Sequence, residues 1–148
     1  MKNNFAEEYK RKQEIEDQYN AADKANDEAG REAARKAYAT WQESIAVKGE
    51  DYARIYTRYE ESRDCGNEYI DFRDTIQDNR VENLVKSLRK YGIEKFTFSS
   101  GWSSAVETAW LFVQNGCRVE GMVEINTPYK PFMSDEYEKA HGYLFSIV

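Results

Sequence analysis

Near Gly66 the apolar residues of this 148-residue chain change their period, and that switch limits the fold more than any other feature. Before it, apolar residues recur at helical spacings. After it, helical stripes alternate with short segments of period two. Residues 1–66 hold no proline, 12 Lys+Arg and 15 Asp+Glu, with much Ala and Gln, so the composition favours helix throughout. Both prolines, Pro128 and Pro131, lie in the second half. The expected class is α+β with an α/β-like core. A long helical hairpin or arm over 1–66 is followed by a small α/β domain over 67–148.

In the first half, Asn3 or Asn4 is placed to cap a helix. Phe5, Tyr9, Ile15 and Tyr19 share a stripe that Ala22, Ala29 and Ala33 continue, and Tyr38, Trp41 and Ile45 resume it. The pattern allows one helix over 5–47, with a kink or break near Asn26 to Gly30. Gly49 ends it. Asp51 then caps a helix bearing Tyr52, Ile55, Tyr56 and Tyr59, which Cys65-Gly66 closes. A connection this short predicts an antiparallel helix pair.

In the second half a helical turn is expected over Glu68 to Ile76. Asn79-Arg80-Val81-Glu82 reads as a capping box ahead of a stripe of Val81, Leu84, Val85, Leu88 and Tyr91. Ile93 to Ser99 alternates as a strand. Ser104-Ala105-Val106-Glu107 is a second capping box, for a helix with Val106, Ala109, Trp110 and Val113 on one face. Arg118 to Asn126 is a strand with Val119, Gly121, Val123 and Ile125 on one side. Strand, helix, strand predicts parallel strands and a right-handed crossover. A helical turn over Ser134 to Lys139 and a last strand over Tyr143 to Val148 complete a three-stranded sheet with two helices.

The chemistry is mostly excluded by what is missing. Two cysteines and one histidine leave no disulfide framework and no common zinc pattern. No EF-hand loop is present, so no metal and no cofactor are expected. His141 stands alone before the last strand, and no G-x-S-x-G elbow accompanies the serines, so no catalytic residue is expected. Cys65 and Cys117 read as small core residues. The net charge of −6 disfavours direct nucleic-acid binding, despite a basic spot at Lys86, Arg89 and Lys90. No apolar run is long enough to span a membrane, and the opening residues carry no signal peptide, so a cytoplasmic location is expected.

Two surfaces remain as candidates. The turn Ser99-Ser100-Gly101-Trp102-Ser103-Ser104 joins a strand to a helix N-terminus and offers donors to an anion, through Ser99, Ser100, Gly101, Ser103 and Ser104. Its plainer reading is a capped turn. The helical half carries Glu7, Glu8, Glu14, Glu16 and Asp17 with Tyr9, Tyr19, Tyr38 and Trp41. Tyrosine gives contact area with few rotors, so these residues suit a protein interface. The plainer reading is a solvated helix with mixed i,i+4 pairs, its tyrosines packing helix on helix.

The stretch Ile93-Glu94-Lys95-Phe96-Thr97-Phe98-Ser99-Ser100, with Gly121-Met122-Val123-Glu124-Ile125, resembles a module of small uncharacterised proteins of bacteria and their mobile elements. The resemblance covers about residues 79–148 and implies the strand–helix–strand unit but no activity. In style the chain is also similar to anti-CRISPR and other anti-defence proteins. That likeness implies a non-enzymatic inhibitor whose partner is a basic nucleic-acid-binding effector, such as a Cas nuclease. The alternatives are a small-ligand or nucleotide-binding module using the Ser99–Ser104 turn, or a helical oligomeric adaptor. A homodimer fits either protein-binding reading.

Overall fold

Residues 5–46 form two helices, not one. In the computed structural model, which describes residues 3–73 and 78–148, α1 (Phe5–Lys24) and α2 (Glu28–Ala46) are separated by a tight turn. Asn26 takes a left-handed φ of 51° there, which Asn tolerates better than most residues. The Asp27 N–H donates to the Ala22 carbonyl at 2.8 Å, and the Asp27 side chain caps α2 by accepting from the Gly30 N–H at 3.0 Å. A Cβ on Gly30 would sit 2.9 Å from that of Ala22, so glycine there permits close approach of the two helices. The turn also resets the helical phase. Ala22 and Ala34 are buried, whereas Ala29 and Ala33, expected on the same stripe, are exposed. The partner of α1 is α2, where the sequence suggested the helix after Gly49.

The chain divides into two compact units between Arg54 and Ile55, inside α3 (Glu50–Asp64), whose end near Gly66 is where the sequence changes period. The first unit is held at one end by a buried carboxylate. Glu8 accepts from the Lys48 ammonium and, at 2.9 Å, from the Tyr52 hydroxyl. Its backbone carbonyl accepts from the Trp41 indole at 3.0 Å, and Phe5 packs on Tyr52 with ring centres 5.0 Å apart.

The second unit contains a four-stranded mixed sheet in the order β1-β2-β4-β3. The strands are β1 (Asp71–Phe72), β2 (Lys95–Phe98), β3 (Cys117–Asn126) and β4 (Lys139–Ile147). β2 and β3 run the same way, as the crossover through α5 (Ala105–Gln114) requires. They are not neighbours, because β4 lies between them and is antiparallel to both. β1 is a fourth strand, parallel to β2, where the sequence suggested a helical turn over Glu68 to Ile76; residues 74–76 of that turn lie outside the described ones. The segment 134–138 bends without forming a helical turn, and β4 begins at Lys139.

The core on one sheet face is aromatic. Phe96, Phe112 and Phe145 are fully buried, with ring centres 5.1–5.4 Å apart, and Phe72 and Phe98 extend the cluster. α4 (Val81–Lys90) adds Val81, Val85 and Leu88, as its stripe predicted. The two capping boxes do not close: Arg80 takes the cap of α4, and Ser104 caps α5 without a side-chain bond. The position of α5 follows from packing instead. Its buried residues are Thr108 and Phe112, and the expected core stripe of Val106, Trp110 and Val113 faces outward.

β3 departs from simple alternation at one residue. Val119 pairs with Phe145 and Gly121 with Leu144, so Glu120 is an extra residue, a bulge. The bulge puts Val119 on the face of Phe145, and Val123 and Ile125 on the opposite one. Replacing Phe96 with Ala at the centre of the ring cluster should cost about 3–5 kcal/mol, the range for deleting a buried aromatic ring, measured by denaturant unfolding.

Candidate functional site

Buried polar chemistry in the second unit centres on Asp71. β1 carries it beside β2, where it accepts from Thr97 Oγ1 at 2.6 Å and Ser99 Oγ at 2.8 Å. Its backbone N–H donates to Ser62 Oγ at 2.9 Å, which ties α3 to the sheet edge. Burial pushes the carboxyl above its ordinary range; the two hydroxyls, Arg73 and Arg58 pull it down but do not offset the desolvation. Ser99, expected to donate to a bound anion, therefore already serves a carboxylate, and a second negative charge there would be repelled. Ser100 Oγ accepts from the Trp102 N–H at 3.0 Å, while Gly101, Ser103 and Ser104 are exposed. Trp102 is exposed as well, and Ser104 precedes α5 with no side-chain capping bond.

The other candidate residues are spread over the helical unit. Glu7, Glu14, Glu16 and Asp17 are exposed along α1; Glu14 meets Arg11 at 3.5 Å and Glu16 meets Lys12 at 4.0 Å. Glu8, Tyr9 and Trp41 are buried, so their side chains hold the unit together and present no surface to a partner. The hydrogen bond to Glu8 holds the Lys48 ammonium above its usual range. Tyr19 and Tyr38 are half-buried and, with Ile15 and Ala34, line a shallow groove of about 340 Å³ between α1 and α2. Arg35, 5.7 Å from the Tyr19 ring centre, forms part of its rim and pairs with Glu28 and Glu32 at 3.4 Å.

The other reactive groups among the described residues are two thiols and one imidazole. Both cysteines are buried, and burial raises both thiols, that of Cys117 to about 11. His141 is exposed on β4, opposite Glu124 of β3. Among the described residues no group of three or more His, Cys, Asp or Glu is placed to hold a metal ion. Among them, too, no helix is long and apolar enough to cross a membrane.

The surface itself carries the strongest signal. The loop between β3 and β4 is closed at its base: the Thr127 N–H donates to the Glu138 carbonyl at 2.8 Å, and the Glu138 N–H to the Tyr129 carbonyl at 2.7 Å. At its tip the Ser134 N–H donates to the Pro131 carbonyl at 3.0 Å. Inside that turn Phe132 is 92% exposed and Met133 91%. Met133 has φ 63°, a conformation that L side chains other than Asn and Asp seldom adopt. Asp135 and Glu136 follow, both exposed, while Lys130 lies 4.6 Å over the Tyr137 ring. Two large apolar side chains are thus held in water by a turn with a backbone cost, on a loop fixed at its base. Sequence reasoning placed Pro128 and Pro131 in the second half and read no site from them. The signal available was the apolar Phe132-Met133 pair inside a proline-bounded loop.

A family model described as a domain of unknown function, DUF7698, matches residues 54–147, and the chain belongs to that family. No curated protein and no solved structure matches the chain.

Asp71 gives a pH test. A carboxyl raised by folding contributes stability that is complete below its unfolded value and is lost as pH rises through the folded one. Asp71→Asn should therefore raise the Tm at pH 7 relative to the parent, with the gain shrinking toward pH 4. Asp71→Ala should cost about 1–3 kcal/mol, because two buried hydroxyls lose their acceptor. Thermal melts of the two variants across that pH range check both.

Proposed function

We propose that this DUF7698 protein works without catalysis, by binding another protein through the tip of its β3–β4 loop. The observation that carries the reading is the near-complete exposure of Phe132 and Met133 on a turn in which Met133 has a left-handed backbone. Backbone strain of this kind costs roughly 1–3 kcal/mol and concentrates where a ligand is clamped. Phe132 supplies the rigid anchor and Met133 the adaptable one. Asp135 and Glu136 beside them call for a partner pocket that is apolar within and basic at its rim.

The nucleic-acid groove of a nuclease combines those properties, and the sharper form of the proposal is an inhibitor that occupies such a groove in a host-defence effector. The chain's net charge of −6, and the exposed Glu7, Glu14, Glu16 and Asp17, would speed the encounter at low salt. The Ser99–Ser104 turn plays no part in this reading, since Asp71 already accepts from Ser99.

The test uses the full chain as bait in a bacterial lysate, beside Phe132→Ser and Asp135→Lys/Glu136→Lys variants. The parent should retain a basic nucleic-acid-binding protein and reduce its nucleic-acid cleavage. Phe132→Ser should weaken the capture about thirtyfold or more, the loss typical of an anchor residue. Removing His141 or Cys65 as Ala should leave it unchanged. Equal capture by the parent and Phe132→Ser, or a loss of inhibition with His141→Ala of about a hundredfold, would refute the proposal.

A further inference from the structure

The β3–β4 loop holds its apolar tip in water, and one of the two tip residues carries sulfur. Among the described residues sulfur is found in Cys65, Cys117, Met122 and Met133. Cys65 and Cys117 are 5% and 4% exposed. Burial raises both thiols above their ordinary range, so they stay protonated at neutral pH. A peroxide reacts with the thiolate, and the two cysteines offer it neither access nor charge. A thioether needs no ionisation and reacts wherever the oxidant reaches it.

Met122 lies within β3, opposite Tyr143, and is 62% exposed. Met133 is 91% exposed, and the fold sets that exposure. At the end of β3 the Asn126 N–H donates to Asn67 Oδ1, and Asn67 Nδ2 donates to the Asn126 carbonyl, both at 2.8 Å. The Asn126 side chain donates to the Cys65 carbonyl at 2.8 Å, so the segment that follows α3 clamps the outgoing side of the loop. On the returning side the Tyr137 hydroxyl donates to the Asp64 carbonyl at 3.4 Å. With its base fixed and its tip turn closed, the loop presents the Met133 thioether to solvent without an opening motion.

We propose that Met133 is a reversible oxidation site, and that hydrogen peroxide switches the docking tip off by converting its thioether to a sulfoxide. The effect on binding rests on the loop-tip reading; the oxidation does not. In the step, a sulfur lone pair attacks one peroxide oxygen. An S–O bond forms and the O–O bond breaks. The departing hydroxide takes the proton left on the transferred oxygen and leaves as water. Sulfur gives up two electrons and the peroxide gains them. The sulfoxide oxygen is a strong acceptor, and burying it in an apolar partner pocket without a donor opposes docking. In the free protein that oxygen stays in water, so the fold is untouched. A thiol-dependent reductase restores the thioether: two thiols become a disulfide and the oxygen is released as water.

The test treats the full chain with hydrogen peroxide, follows it by peptide mass spectrometry, and removes the peroxide before any binding step. Met133 should gain one oxygen before Met122 does, while both cysteines stay reduced and the Tm holds. Capture of the basic nucleic-acid-binding protein from a bacterial lysate should then fall about tenfold or more, the scale of loss for a polar group buried without a partner. A methionine sulfoxide reductase should restore it. Met133→Leu, compared only with itself, should capture alike before and after peroxide, whereas Met122→Leu should remain as sensitive as the parent. Oxidation of Met122 or of a cysteine ahead of Met133 overturns the proposal, whatever is captured. Where the untreated parent does capture its target, undiminished capture after Met133 is oxidised, or continued sensitivity of Met133→Leu, overturns it too. An untreated parent that captures no such protein overturns the loop-tip reading and the switch with it, and the order of oxidation then decides the modification site alone.

Discussion

The packing of Phe96, Phe112 and Phe145 into one cluster dictates most of the second unit. Phe96 sits on β2 and Phe145 on β4, and their ring stack, with centres 5.4 Å apart, accompanies the antiparallel register that pairs those two residues. β4 therefore occupies the place beside β2 that a simple crossover would give to β3, and β3 is displaced to the sheet edge. Phe112 locks α5 over the same rings. Once that side chain is fixed, the helical period allows the rest of α5 no choice. Thr108 goes inward, where its hydroxyl donates to Asp78 at 2.7 Å, and Trp110 goes outward. The exposed apolar flank of α5 is thus a consequence of the core, not a failure to complete it.

That dependence explains what the sequence could and could not disclose. The Val81–Leu88 stripe of α4 was legible because its polar face is unambiguous. α5 is apolar nearly all round, so several faces were equally plausible, and the stripe chosen was the one the ring cluster excludes. The bulge at Glu120 was signalled by the lone glycine inside the strand, Gly121, which the alternating pattern absorbed as one more inward position, yet the extra residue reverses which side of the sheet Val119 occupies. β1 is too short to show a period. Asp71 became a site only when β1 brought it beside Thr97 and Ser99, 26 and 28 residues further along the chain. A local reading of the serines could not include that carboxylate, which only the fold brings to Ser99.

In the helical unit the same limit applies to charge. Glu7 and Glu8 are adjacent and alike in sequence, but they lie 100° apart on the helix. One meets water; the other meets Lys48 and Tyr52 in the interior. A buried carboxylate is tolerable only when it is paired and hydrogen-bonded, and Glu8 is both. Removing one partner would leave a buried polar group unsatisfied, so the cluster acts as a unit that fixes how α1, α2 and the start of α3 meet. Acidic residues on an amphipathic helix divide into steering charges and structural ones, and composition cannot separate them.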